Sequence, residues 1–151
     1  MIYVSCGHEK GIGLEVFLKS YICLNSAFKK SFILICSKKF LNFTLASINM
    51  KAIIHSDHIR LGTDSLKCKF VEADGLYPLT TVALDHIMKT ITPSDILITL
   101  PSIKNDIFLN ENKLAGHTEY FRSFFKNTNL TMNFLSAKEN VLLLSDHVSL
   151  E

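Results

Sequence analysis

Residues 2–36 read IYVSCGHEKGIGLEVFLKSYICLNSAFKKSFILIC, and this stretch decides the fold. It opens with a short β-rich run, Ile2-Tyr3-Val4-Ser5-Cys6, that stops at Gly7. A second break, Gly11-Ile12-Gly13, precedes a helical pattern in which Val16, Phe17, Tyr21 and Leu24 form an apolar stripe while Lys19 and Asn25 point away. Such a stripe needs a sheet to cover. Phe32-Ile33-Leu34-Ile35-Cys36 supplies it, a continuous apolar run of the kind that forms a strand buried on both faces. Strand, glycine loop, helix and strand make a βαβ unit.

Working outward, residues 39–48 are expected to be a short helix, and residues 51–54 and 67–71 strands. Residues 78–90 are expected to form a helix, because Leu79, Val82, Ala83, His86 and Ile87 recur with helical spacing and Pro78 suits a first turn. Residues 95–99 read as another buried strand, which Pro101 stops. A loop then leads to a helix over 117–125 carrying Tyr120, Phe121, Phe124 and Phe125 on one side, and residues 130–135 and 140–144 read as two further strands. Strands alternating with amphipathic helices predict one α/β domain, a three-layer α/β/α sandwich around a mixed, largely parallel sheet. Ligands of such sheets lie beyond the carboxyl ends of the strands, here the loops at 7–13, at 100–118 and from 145 onward.

Composition narrows the class. A chain of 151 residues with 48% hydrophobic and 20% charged residues suits a single globular unit. The net charge of +2 is spread along the chain, with no run of five like charges to track a nucleic-acid backbone or an anionic membrane. No nucleic-acid or membrane partner is expected. Cys6, Cys23, Cys36 and Cys68 have no C-x-x-C spacing and lie in apolar surroundings, which predicts reduced, buried thiols and a cytoplasmic protein. No stretch approaches the roughly 18 apolar residues of a spanning helix.

Two loops have the composition of anion sites. Gly7-His8-Glu9-Lys10-Gly11-Ile12-Gly13 lets backbone amides approach a phosphate at a helix start, or is an ordinary strand-to-helix turn; it is neither G-x-G-x-x-G nor a P-loop. Gly116-His117-Thr118-Glu119 stands where a loop enters a helix. There the Thr118 hydroxyl, the first-turn amides and His117 can face a phosphate, or Thr118 is simply an N-cap and His117 a surface residue. Lys104, on the loop before it, can bring an ammonium to the same anion. His147, beside Asp146 at a strand end, has the chemistry of a metal ligand or a general base. His55 and His58 are expected on an exposed loop, and His86 as a packed histidine.

The order of these features resembles the 4-hydroxythreonine-4-phosphate dehydrogenase family of pyridoxal phosphate biosynthesis. That family opens with a strand and Thr-x-Gly-Asp/Glu-Pro-x-Gly-Ile-Gly-Pro-Glu, matched here by Ser5-Cys6-Gly7 and Gly11-Ile12-Gly13-Leu14-Glu15. It continues with a strand ending in Thr-x-Pro-x-x-Lys, then Gly-His-Thr-Glu-Phe/Tyr, matched by Thr99-Leu100-Pro101, Lys104 and Gly116 to Tyr120. Its later Thr-His-x-Pro-Leu is similar to Asp146-His147-Val148-Ser149-Leu150. The chain departs from the pattern at His8-Glu9-Lys10, Leu14 and Ser149, and it has about half the length of a two-domain enzyme.

The resemblance implies an isocitrate/isopropylmalate dehydrogenase-like fold, with residues 1–151 forming the amino-terminal part of a longer enzyme and the second domain beginning near residue 130. It implies that His117, Thr118 and Lys104 bind the phosphorylated substrate and that His147 binds a divalent metal (Zn, Mg or Co). The implied reaction is NAD-dependent oxidation, with decarboxylation, of 4-phosphohydroxy-L-threonine or a related hydroxy acid by a homodimer. The alternative is a truncated, non-catalytic phosphate-binding module derived from that family.

Overall fold

The computed structural model describes residues 1–73, 75–126 and 130–143. Its elements begin with β1 (Ile2–Ser5), α1 (Gly13–Ile22), a short α2 (Ser26–Lys29), β2 (Phe32–Cys36) and α3 (Lys38–Ser47). A meander of β3 (Ile53–Ile54), β4 (His58–Leu61) and β5 (Asp64–Phe70) follows, then α4 (Leu79–Met88) and β6 (Ile96–Thr99). The main sheet runs β3-β4-β5-β2-β1-β6, parallel between β5, β2, β1 and β6 and antiparallel at the β3-β4-β5 end. It is the expected α/β arrangement with a mixed, largely parallel sheet.

This strand order sets where a ligand can sit. From β1 the chain moves one way, through α1 to β2 and through α3 to the meander; α4 then carries it back past β1 to β6. Right-handed crossovers place α1 and α3 on one face of the sheet and α4 on the other. In agreement, α1 packs against α3, and α4 packs on β1 and β2. The order reverses between β1 and β6, and the crevice at the carboxyl ends of these two strands is the topological switch point.

The core explains which sequence patterns held. Val4, Leu34, Ile35, Leu14, Leu18, Tyr21 and Leu41 are all essentially inaccessible, so β1 and β2 are covered on both faces as the FILIC run required. In β5, Leu66 and Cys68 are buried while Ser65, Lys67 and Lys69 face solvent, the alternation of a strand covered on one side. Between α2 and β5, the nearly buried Lys29 donates from Nζ to the Ile22 carbonyl (2.9 Å) and to Asp64 Oδ2 (2.6 Å). Tyr21 sits below that ammonium and donates its hydroxyl to the Ser65 carbonyl at 3.1 Å.

Several expectations are corrected. The α1 stripe is Leu14, Phe17, Leu18 and Tyr21, and Val16 is half exposed, because the helix presents its Leu14 and Leu18 side to the sheet. Residues 96–98 are not a buried strand: among the described residues β6 pairs only with β1, and Ile96 and Ile98 are 57% and 37% exposed. Cys23, at the end of α1, is exposed, whereas burial pushes the Cys6 and Cys68 thiols up to about 12 and that of Cys36 well above its usual range. Residues 55–58 are a tight turn leading into β4, with the two histidine rings stacked 4.2 Å apart and the His55 amide donating to the His58 carbonyl. The strands expected at 130–135 and 140–144 shrink to a hairpin of β9 (Asn133–Leu135) and β10 (Asn140–Leu142), separate from the main sheet.

Candidate functional site at the switch point

After β6 the chain forms a 3₁₀ turn (Lys104–Asp106), a two-residue hairpin of β7 (Phe108–Leu109) and β8 (Asn112–Lys113), and α5 (His117–Phe124). The first contact of interest lies between segments more than 85 residues apart. β1 and β6 are in register, Ser5 beside Thr99, and the Leu100 amide continues the ladder by donating to the Ser5 carbonyl at 3.1 Å. The His8 amide then donates to the Pro101 carbonyl at 3.0 Å. Gly7 takes the left-handed conformation (φ +66°), and a Cβ there would lie 2.4 Å from the Pro101 oxygen. A Cβ on Gly13 would lie 3.0 Å from both Leu100 Cβ and Pro101 Cδ. The glycines are therefore required by the close approach of the 99–101 segment. Space that a pyrophosphate cradle would need beside Gly7 and Gly13 is filled by the chain itself, so this loop does not fit a dinucleotide phosphate.

Above this contact stands a pair that no local sequence signal marks. His8 Nδ1 is hydrogen-bonded to Asp106 Oδ2 across 98 positions of sequence. Asp106 is held in turn: its amide donates to the Ile103 carbonyl (3.0 Å), and its carbonyl accepts from the buried Thr81 hydroxyl on α4 (2.6 Å). The same hydroxyl accepts from the Phe108 amide at 3.0 Å. A carboxylate can only accept, so Nδ1 carries the hydrogen, and Nε2 is the ring nitrogen left to exchange a proton with a ligand. The ring is a quarter exposed.

α5 begins at His117 with Gly116 as its N-cap, so Thr118 is in the first turn and is not the cap. Glu119 reaches back to accept from the Ala115 amide, while the buried Tyr120 donates its hydroxyl to Asp85 Oδ1 at 2.5 Å, fixing α5 to α4. His117 is largely buried against Phe121, its Nε2 has no hydrogen-bond partner among the described residues, and burial lowers its pKa, so the ring is neutral near pH 7. Thr118 lines a cleft of about 460 Å³ with Ala115, Gly116, Glu119 and Arg122. It also lines a second, more apolar one of about 270 Å³ with Phe121, Phe125 and Leu130. Arg122 is one helical turn beyond Thr118 on the same face, a spacing readable from sequence but overlooked there.

The sequence candidates are thus placed unequally. Thr118 opens into a cleft at the α5 start, but neither cleft that it lines includes His117 or Lys104. Lys104 is exposed on the 3₁₀ turn two residues from Asp106, next to the switch point. His147 lies outside the described residues. Among the described residues no three His, Cys, Asp or Glu side chains are grouped to hold a metal ion, and no helix is long and apolar enough to cross a membrane.

Fold and site together define an α/β protein with a doubly wound sheet, a hydrogen-bonded His–Asp pair at its switch point and a cleft lined by Thr118, Glu119 and Arg122 at an adjoining helix start. No family model, curated protein or solved structure matches the chain.

Proposed function

We propose that the chain binds a small phosphorylated hydroxy acid, as a relative of 4-hydroxythreonine-4-phosphate dehydrogenase. The observation that carries the reading is the cleft at the start of α5, where Gly116, Thr118 and Arg122 line one space, together with Ala115 and Glu119, beside the positive end of a helix. A second observation supports it: two of the sequence segments that carry the resemblance, one at 5–15 and one at 99–104, meet at the switch point through His8, Gly7, Gly13 and Pro101. In this reading Thr118 donates its hydroxyl to the phosphate, Arg122 adds a charge-assisted contact, and Lys104 meets the acid's other end. NAD, the metal at His147 and the homodimer enter through the resemblance alone.

Calorimetry with 4-phosphohydroxy-L-threonine tests it. A hydrogen bond to a charged group contributes about 1.5–3 kcal/mol, so Thr118→Val and Arg122→Gln should each weaken binding by roughly ten- to a hundredfold. The unphosphorylated amino acid should not bind. Equal affinity for the two compounds, or no change in either variant, contradicts the proposal.

A further inference from the structure

We infer that His8 is an acid–base residue, taking a proton from a hydroxyl of a ligand bound at the carboxyl ends of β1 and β6, and that Asp106 positions it. The inference rests on the hydroxy-acid reading above for its ligand class, and on the His8–Asp106 pair for its chemistry. A general base needs three things: an unengaged nitrogen lone pair, a partner that fixes ring and tautomer, and a location where ligands bind.

His8 has each. Its Nδ1 is committed to Asp106, and Nε2 makes no hydrogen bond among the described residues. Asp106 is buried and does not swing freely, because its backbone is clamped by Ile103 and by Thr81 from a different helix. The His8 backbone is clamped as well, to Pro101 on one side and through the Gly11 amide on the other, at 3.0 and 2.9 Å. The pair is thus anchored to the segment just beyond β6 at its His8 end and to α4 at its Asp106 end. A surface ion pair formed by chance would not have a buried carboxylate braced from α4.

In the proposed step the O–H bond of the ligand breaks, its proton passes to His8 Nε2, and the electron pair stays on the ligand oxygen. The imidazolium that results is stabilised by the Asp106 carboxylate, which keeps its own charge. The step is a proton transfer only and needs no oxidant. Lys104, on the turn that carries Asp106, is placed to stabilise negative charge on the ligand.

Nitrogen-15 NMR of the histidine rings in the full chain tests this, with His8 assigned by its loss in His8→Gln. The wild type should show His8 as the Nδ1–H tautomer, and Asp106→Asn should redistribute it toward Nε2–H while far-UV circular dichroism stays unchanged. Adding 4-phosphohydroxy-L-threonine should shift the His8 Nε2 resonance. An Nε2–H tautomer in the wild type overturns the inference. Ligand shifts confined to residues 116–122 overturn it too but leave the phosphate site standing, and an absence of shifts anywhere overturns both readings.

Discussion

Replacing Gly7 by alanine probes the contact on which the site is built, and Gly62→Ala is its control. Both glycines have a left-handed backbone, φ +66° and +62°, so both substitutions carry the conformational cost of about 1–2 kcal/mol for an L side chain. Both also restrict the unfolded chain by the same amount. They differ in surroundings. Nothing lies within 4 Å of a Cβ at Gly62, whereas at Gly7 it would meet the Pro101 oxygen at 2.4 Å and the Leu100 carbonyl atoms at 3.0 Å. These are backbone atoms in a segment tied to β1 and His8, so they cannot rotate away, and overpacking of this kind costs about 1–3 kcal/mol. Gly7→Ala should therefore destabilise by about 2–5 kcal/mol in all, beside about 1–2 for Gly62→Ala. The chain has no tryptophan, so urea unfolding is best followed by far-UV circular dichroism. Equal midpoints for the two variants would refute the packed contact between the 7–13 loop and the 99–101 segment.

Further predictions test the surrounding architecture. Tyr120→Phe leaves Asp85 without its hydroxyl donor and should cost about 1.5–3 kcal/mol in the same assay, loosening α5 from α4. Burial lowers the His117 pKa, so below the ordinary histidine value of about 6.5 the unfolded chain binds the proton more readily. Stability should consequently fall as pH drops through and below that value, and His117→Gln should reduce the fall; the half-buried His86, shifted in the same direction, adds to it. With iodoacetamide near pH 8, mass spectrometry should find Cys23 alkylated first, while Cys6, Cys36 and Cys68 react only as the chain unfolds.

How much of this was legible in the sequence follows from how local each signal is. The βαβ unit was readable because FILIC is continuous and Gly7 and Gly13 punctuate it, and α4 because Leu79, Ala83 and Ile87 keep helical spacing. Burial was less readable. Ile96, Leu97 and Ile98 look like a central strand, yet nothing in three apolar residues says that only one neighbour will pair with them. β4 was hidden because its hairpin is closed by Gly62-Thr63, a turn whose left-handed first residue is not marked by asparagine or aspartate. At the site, Thr118 was visible through its motif and Arg122 through its spacing, but the partnership of His8 with Asp106 exists only once β1 and β6 are side by side. The glycines of the 7–13 loop could be read for backbone closeness, to a phosphate or within an ordinary turn, but not for the fact that Pro101 is what approaches them.

The most direct test of the central claim is hydrogen exchange of the chain with and without saturating 4-phosphohydroxy-L-threonine. Binding at the helix start and switch point predicts slowed exchange at residues 99–106 and 116–122, with little change in α3 or the β3-β4-β5 meander. Protection of residues 7–13 by a nucleotide, with none at 116–119 from the phosphorylated hydroxy acid, would contradict it.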